Sequence, residues 1–193
     1  MTGTGKLSPR KAEKRARILK VAREVFEAEG LEGASLRSIA TRAGYTPAAL
    51  YFHFDSKEAL YEALLHHSLE MMKAQVDNAV ASADCASGRL KGAALAFFDY
   101  YHANPRELDL GFYLFRGGMA PKGLGRDRDM ALNRSLLQAL QPILDAAMDL
   151  GLDAQDAEKT QAAIFAHASG LLLLSHTGRI SLFHFPARAL LET

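Results

Sequence analysis

Apolar positions recur at steps of three and four along most of the chain, and stretches of strict alternation are nearly absent. That periodicity predicts helices instead of strands. Residues 11–29 put Ile18, Ala22, Val25 and Phe26 on one face, with Gly30 as the stop. Residues 35–43 read as a short helix. Ser35 is its candidate N-cap, and Ile39, Ala40 and Ala43 form a narrow apolar stripe. Gly44 stands where that helix must end, because glycine enters the left-handed region without Cβ strain. Thr46-Pro47 restarts the chain as an N-cap followed by proline at the first helical position. Leu50 and Phe54 then point back at the preceding helix, which leaves Pro47, Ala48, Tyr51, Phe52 and His53 turned outward. A short helix that exposes aromatic and small residues, braced by another helix, has the form of a major-groove reader.

Ser56 caps a long helix to about residue 81, in which Leu60, Ala63, Leu64, His67, Met71 and Val76 fall at helical spacing. Residues 82–88 read as a loop and 89–103 as a helix. Asn104-Pro105-Arg106-Glu107 has the form of a capping box that opens a helix to about residue 116. Residues 117–127 are rich in glycine and polar groups and are expected to be mobile. A helix over 128–150 is either kinked or split by Pro142. Asp153 caps a helix that ends near residue 176, and a short helix covers 186–191. The pattern predicts an all-α chain of about nine helices that divides near residue 55. Residues 1–55 form a three-helix DNA-binding unit with a helix-turn-helix, and residues 56–193 form a helical body.

Charge sharpens this picture. Within residues 1–23, Lys6, Arg10, Lys11, Lys14, Arg15, Arg17, Lys20 and Arg23 face one acid, Glu13, a balance of +7. The whole chain carries +1, which leaves −6 for the remainder. A basic arm beside a helix-turn-helix is the electrostatic footprint of a duplex binder. By itself, a basic terminal run is as often a solvated tail.

Composition narrows the remaining classes. At 49% apolar residues the chain can build a real core. A single cysteine, Cys85, allows no intramolecular disulfide and fits a reducing compartment. The basic start has no apolar h-region, so no secretory signal is expected. The apolar run from 162 to 174 is interrupted by His167 and Ser169, and reads as a buried helix too short to span a bilayer. No membrane association is expected.

Catalytic patterns fail. The histidines lack HExxH or CxxC spacing, and the adjacent His66 and His67 point about 100° apart on a helix, so they cannot share a metal. There is no GxSxG elbow, and the glycines from 118 to 125 lack a GK[ST] tail. Cys85 has no evident base. The expectation is no enzyme activity, no metal and no cofactor.

Ala22, Phe26, Gly30, Ser35, Leu36, Ile39, Ala40, Ala43 and Gly44, then Leu50-Tyr51-Phe52-His53-Phe54 and Lys57-Glu58-Ala59-Leu60, together resemble the DNA-binding domain of the TetR family of bacterial transcription regulators. The resemblance covers about residues 12–65. Two positions depart from it: relatives often carry valine where Tyr45 stands and glycine near Ala48. Both bear on which bases are read.

Candidate DNA contacts follow partly from geometry and partly from this resemblance. Ser35 and Thr46 stand at helix starts, where free amides favour phosphate, although capping alone accounts for both. Pro47 and Ala48 offer apolar contact to thymine methyls. By resemblance, Arg37 reaches a base edge, while Tyr51, His53 and Lys57 contact phosphates. Phe52 either packs on the DNA backbone or covers Leu60.

For the body, the resemblance implies an effector pocket and a dimer. The aromatic and sulfur-rich set Met71, Phe97, Phe98, Phe112, Phe115, Met119 and Phe165 is its candidate wall, with Tyr101 and His102 orienting the ligand; ordinary core packing is the competing reading. Ala162, Ala166 and Gly170 share one helical face, flanked by Leu171 and Leu174. The family's last two helices pair with their copies, so this face is the candidate dimer interface. Tight packing inside one subunit is the alternative. The resemblance implies a cytoplasmic homodimeric repressor on a near-palindromic double-stranded operator, released by a small, largely apolar effector. The alternative is a ligand-independent regulator controlled by a partner protein.

Overall fold

The computed structural model describes residues 9–111 and 124–192, with side chains from residue 13 onward. Among the described residues there are helices and turns, and no strand. They run α1 (Pro9–Gly33), α2 (Leu36–Ala43), α3 (Pro47–Tyr51), α4 (Lys57–Ala81), α5 (Ala86–Ala103), α6 (Pro105–Gly111), α7 (Arg126–Asp149), α8 (Ala154–His176), a 3-10 turn (Arg179–Phe183) and α9 (Ala187–Leu191).

The chain separates into two compact units. Among the described residues, the first comprises 9–65 and 124–129, and the second 66–111 and 130–192. The division expected at residue 55 therefore falls ten residues later, inside α4. The reason is packing. Leu60, Tyr61 and Leu64 are buried, and the Tyr61 ring meets Phe26 of α1 edge-on at 4.9 Å between centroids. The first turns of α4 thus complete the core of the DNA-binding unit.

That core joins Ile18, Ala22, Val25 and Phe26 of α1 to Leu36, Ile39, Ala40 and Ala43 of α2 and to Leu50 and Phe54. Local chemistry shapes the chain around it. At Gly30 (φ 69°, ψ 176°) the expected stop is a break in α1, after which one further turn runs to Gly33. Gly44 (φ 77°, ψ 31°) ends α2 in the left-handed region, its amide donating to the Ala40 and Thr41 carbonyls. Ser56 Oγ caps α4 by accepting from the Ala59 amide at 3.1 Å. Residues 124–129 also belong to this unit, where the Arg128 guanidinium lies 3.3 Å from Asp55 and 3.2 Å from Glu62.

In the second unit, α5 is the centre. Its Phe97, Phe98, Tyr100 and Tyr101 are buried with Met72 and Val76 of α4, Leu140 and Ile143 of α7, and Ala168, Leu171 and Leu172 of α8. Helix α5 begins at Ala86, earlier than the loop 82–88 allows, because the Cys85 thiol accepts from the Gly88 amide at 3.3 Å and serves as its cap. Asn104 turns its side-chain amide back to donate to the Tyr100 carbonyl at 2.8 Å, closing α5 as well as preceding α6. Pro142 neither splits nor ends α7, which runs unbroken from Arg126 to Asp149. Asp153 caps α8 as expected, accepting from the Asp156 amide at 2.9 Å. The 3-10 turn at Arg179–Phe183 has no counterpart in the sequence periodicity.

Candidate nucleic-acid interface and effector groove

In the first unit, the Ser35 hydroxyl accepts from the Ser38 amide at 3.1 Å, and the Thr46 hydroxyl accepts from the Ala49 amide at 3.2 Å. Both are N-caps. Each hydroxyl keeps its own hydrogen free to donate to an acceptor outside the protein. Gly44 and Thr46-Pro47 turn the chain between α2 and α3 within three residues. With Leu50 fully buried, α3 must present its opposite face: Ala48 is exposed, Tyr51 is 56% exposed and Phe52 81%. Phe52 therefore stands mostly in solvent, while Leu60 is fully buried.

Arg37 is exposed in the first turn of α2, and its carbonyl accepts from the Thr41 hydroxyl at 3.0 Å. Arg42, on the same helix, is tied to Glu29 at 2.6 Å, which braces α2 against α1. Lys57 donates to the Glu32 carbonyl at 3.2 Å, and its ammonium has two further hydrogens. The nine residues expected to touch DNA lie on α2, the turn, α3 and the start of α4, and none is buried. Chemically they supply hydroxyl, guanidinium, ammonium, phenol and imidazole groups next to small apolar surfaces. This is the mixture that positions a protein on phosphates while reading base edges.

In the second unit, the expected effector wall is largely ordinary core. Phe97, Phe98 and Tyr101 are buried, with Phe97 edge-on to Tyr101 (5.2 Å) and to the half-buried Phe165 (5.7 Å). Burial pushes the Tyr101 phenol above its ordinary pKa, with Tyr100 adding to the shift, so it stays neutral. Met71 is 51% exposed, because the buried ridge of α4 runs through its neighbour Met72 and Val76. His102 is exposed, stacked on Phe98 at 5.3 Å and on His176 at 5.8 Å. Phe112, Phe115 and Met119 lie outside the described residues.

A groove of about 610 Å³ lies elsewhere in this unit, between α4, the start of α5 and α7. Leu69, Val80, Ala139, Pro142 and Ala146 line it with apolar surface. Its polar lining includes the ion pairs Lys73–Asp77 (2.7 Å) and Arg89–Asp149 (2.9 Å), with Gln141 donating to Asp145 at 2.8 Å. Of the nine expected residues, none of the six that are described lines it. The missed signal is a polar row on α4: His66, Glu70, Lys73 and Asp77 recur at steps of four and three, and read as a solvated face.

Along α8, Ala162, Ala166 and Gly170 are exposed and Leu174 is half-buried. A Cβ built on Gly170 would meet nothing within 4 Å, so packing inside this protomer does not require glycine there. Leu171 differs from expectation. It is 6% exposed and belongs to the protomer's own core, whereas Leu173 is 60% exposed. Further on, Leu182, Phe183 and Phe185 also stand in solvent.

Among the described residues no helix is long and apolar enough to cross a membrane, and no group of three or more His, Cys, Asp or Glu residues could hold a metal ion.

Comparison with known proteins agrees with this geometry. Residues 18–64 match the family model described as bacterial regulatory proteins, tetR family. The chain is 38% identical over 88 residues to the HTH-type transcriptional activator FasR of Mycolicibacterium smegmatis, which covers 46% of this chain and 40% of FasR. It is 30% identical over 143 residues to the HTH-type transcriptional regulator SrpR of Pseudomonas putida, covering 72% of this chain and 63% of SrpR. The matched stretch thus spans less than two thirds of either relative. The crystal structure of the regulator FadR from Bacillus subtilis in complex with stearoyl-CoA shares the fold, with a TM-score of 0.63 at 15% identity over 91% of this chain and 92% of that one.

Proposed function

The chain belongs to the TetR family of helix-turn-helix transcriptional regulators, and we propose that it works as a homodimeric repressor whose grip on a near-palindromic operator is loosened by a small effector. The observation that carries the DNA-binding part is the exposed row on α2 and α3, held by Ser35, Gly44, Thr46 and the buried Leu50. Two copies of α3 would enter successive major grooves about 34–36 Å apart. The exposed small-residue face of α8 with Leu173, together with the exposed Leu182, Phe183 and Phe185, supports the dimer, since large apolar side chains left in solvent mark an interface when they gather. The site of action is the cytoplasm.

The groove in the body supports a small-molecule effector over control by a partner protein, because about 610 Å³ is within the range of ligand sites. Its lining mixes apolar surface with ion pairs and amides, which fits an amphipathic effector better than a wholly apolar one. The effector acts by favouring an arrangement of the dimer whose recognition helices no longer match the operator, and it can do so only through unequal affinity for the two arrangements.

Selection of the purified protein against an unbiased pool of duplexes tests this reading. An inverted repeat with half-sites one helical turn apart is expected; no enrichment at low ionic strength overturns it. On the selected operator, Arg37→Ala is expected to relax preference at one base pair per half-site, at a cost of about 1–3 kcal/mol against the correct site. Unchanged preference removes Arg37 from the base readers. The double substitution Tyr51→Ala, Lys57→Ala is expected to weaken binding to all duplexes alike and to lower the slope of log K against log salt by about 0.9 for the phosphate that Lys57 no longer neutralises in each half-site. An unchanged slope removes Lys57 from the phosphate set, and an affinity that Tyr51→Ala alone leaves unchanged removes Tyr51.

A further inference from the structure

The recognition helix is bracketed by two aromatic residues, and the cations of α1 lie over both rings. Tyr45 precedes it in the turn, with the Lys14 ammonium 5.5 Å and the Arg17 guanidinium 5.9 Å from its ring centroid. Phe54 follows it, with the Arg15 guanidinium 5.3 Å from its ring. We propose that Tyr45 holds Lys14 and Arg17 in place as a pair of phosphate-binding cations beside the recognition helix, a duplex-backbone contact separate from Ser35, Thr46, Tyr51, His53 and Lys57. This rests on the proposed DNA-binding function.

Four observations support it. Lys14 and Arg17 are three residues apart, so they project from one face of α1. Both are exposed, and among the described residues neither pairs with a carboxylate, whereas Arg42 and Arg128 do. Arg17 also fits against the turn itself: a Cβ built on Gly44 would lie 3.3 Å from the Arg17 guanidinium nitrogen, so the glycine that ends α2 also leaves room for this cation. Finally, α1 carries much of the +7 balance of residues 1–23, and among the described residues Lys14, Arg15 and Arg17 are the cations that lie over the rings flanking α3.

The physical advantage is order. A lysine or arginine that grips phosphate from free solution loses rotamer freedom at the moment of binding. A ring face that already holds the charge reduces that loss, and the weak attraction leaves the cation free to turn toward a phosphate. Tyr45 is then a positioning residue, and Lys14 and Arg17 make the contact.

The test measures operator affinity across ionic strength for wild type, Y45V, Y45F, the pair K14Q/R17Q, and the triple Y45V/K14Q/R17Q, with the melting temperature of each. Two cations in each of two half-sites correspond to a fall in slope of up to about 3.6 for the dimer, at about 0.9 per phosphate. The expected result is a lowered slope in K14Q/R17Q, a several-fold weaker operator affinity at an unchanged slope in Y45V, wild-type behaviour in Y45F, and a triple no weaker than K14Q/R17Q. A slope unchanged in K14Q/R17Q overturns the contact. An affinity unchanged in Y45V overturns the role of Tyr45, as does an equal affinity loss when Y45V is added to K14Q/R17Q, or a loss that vanishes once variants are compared at equal distances below their melting temperatures. Wild-type protein that ignores every duplex removes the DNA-binding reading itself, which these outcomes leave standing.

Discussion

Leu173→Glu is expected to turn the proposed dimer into a monomer and to weaken operator binding by about two to four orders of magnitude, the range by which a second linked contact raises apparent affinity. Leu173 is 60% exposed in the protomer, so the new carboxylate disturbs none of the protomer's own packing. In the proposed dimer the carboxylate would be taken out of water, and desolvating a charge costs more than such a contact returns. The neighbouring small residues Ala162, Ala166 and Gly170 give a second helix room to approach, which makes the buried carboxylate harder to hydrate. Sedimentation and operator titration of the same sample check both parts. A variant that remains dimeric at micromolar concentration places the interface elsewhere.

Phe97→Ala is expected to destabilise the second unit by about 3–5 kcal/mol, the usual cost of removing a buried phenylalanine and leaving its cavity. Phe97 is 2% exposed and meets Tyr101 and Phe165 edge-on, so the substitution also breaks both of these ring pairs. This result separates the two readings of the aromatic set. A core residue changes the unfolding midpoint strongly and the effector response only through stability. A wall residue would leave the midpoint nearly unchanged and shift the effector concentration at which the operator is released. Thermal unfolding read alongside effector titration shows which holds. A midpoint within a degree of wild type would contradict this packing.

The difference between Met71 and Met72 marks the limit of what periodicity determines in the body. Both are apolar, adjacent and on one helix, and the spacing Leu60, Leu64, His67, Met71 is as helical as Tyr61, Leu64, Leu65, Ser68, Met72, Val76. Periodicity identifies the helix. Which of two overlapping stripes faces inward depends on what α5 and α7 place opposite it, and those helices lie tens of residues away. The same limit applies to Leu171 and Leu173 on α8. It also explains the groove, whose lining joins Lys73 and Asp77 to Arg89 and Asp149. On a single helix such residues look like solvated charges.

The amino-terminal unit was far more legible. The caps at Ser35 and Thr46, the left-handed Gly44 and the break at Gly30 each arise from a few consecutive residues. Short-range chemistry of that kind is written directly in the chain, because its energy comes from backbone groups within one turn. Even here, the placement of Lys14 and Arg17 over Tyr45 lay beyond reach, since it links positions about thirty apart. The all-helical class, the two-part organisation and the helix-turn-helix were thus in the sequence itself, because they follow from local capping and apolar spacing, and the family resemblance rests on the motif residues from Ala22 to Leu60. The face each body helix buries, the site of the groove, the exposed leucine of α8 and the end of the first unit inside α4 were decided only in three dimensions. Each depends on contacts between segments distant in the chain, and an apolar stripe wide enough to be buried in more than one way does not choose among them.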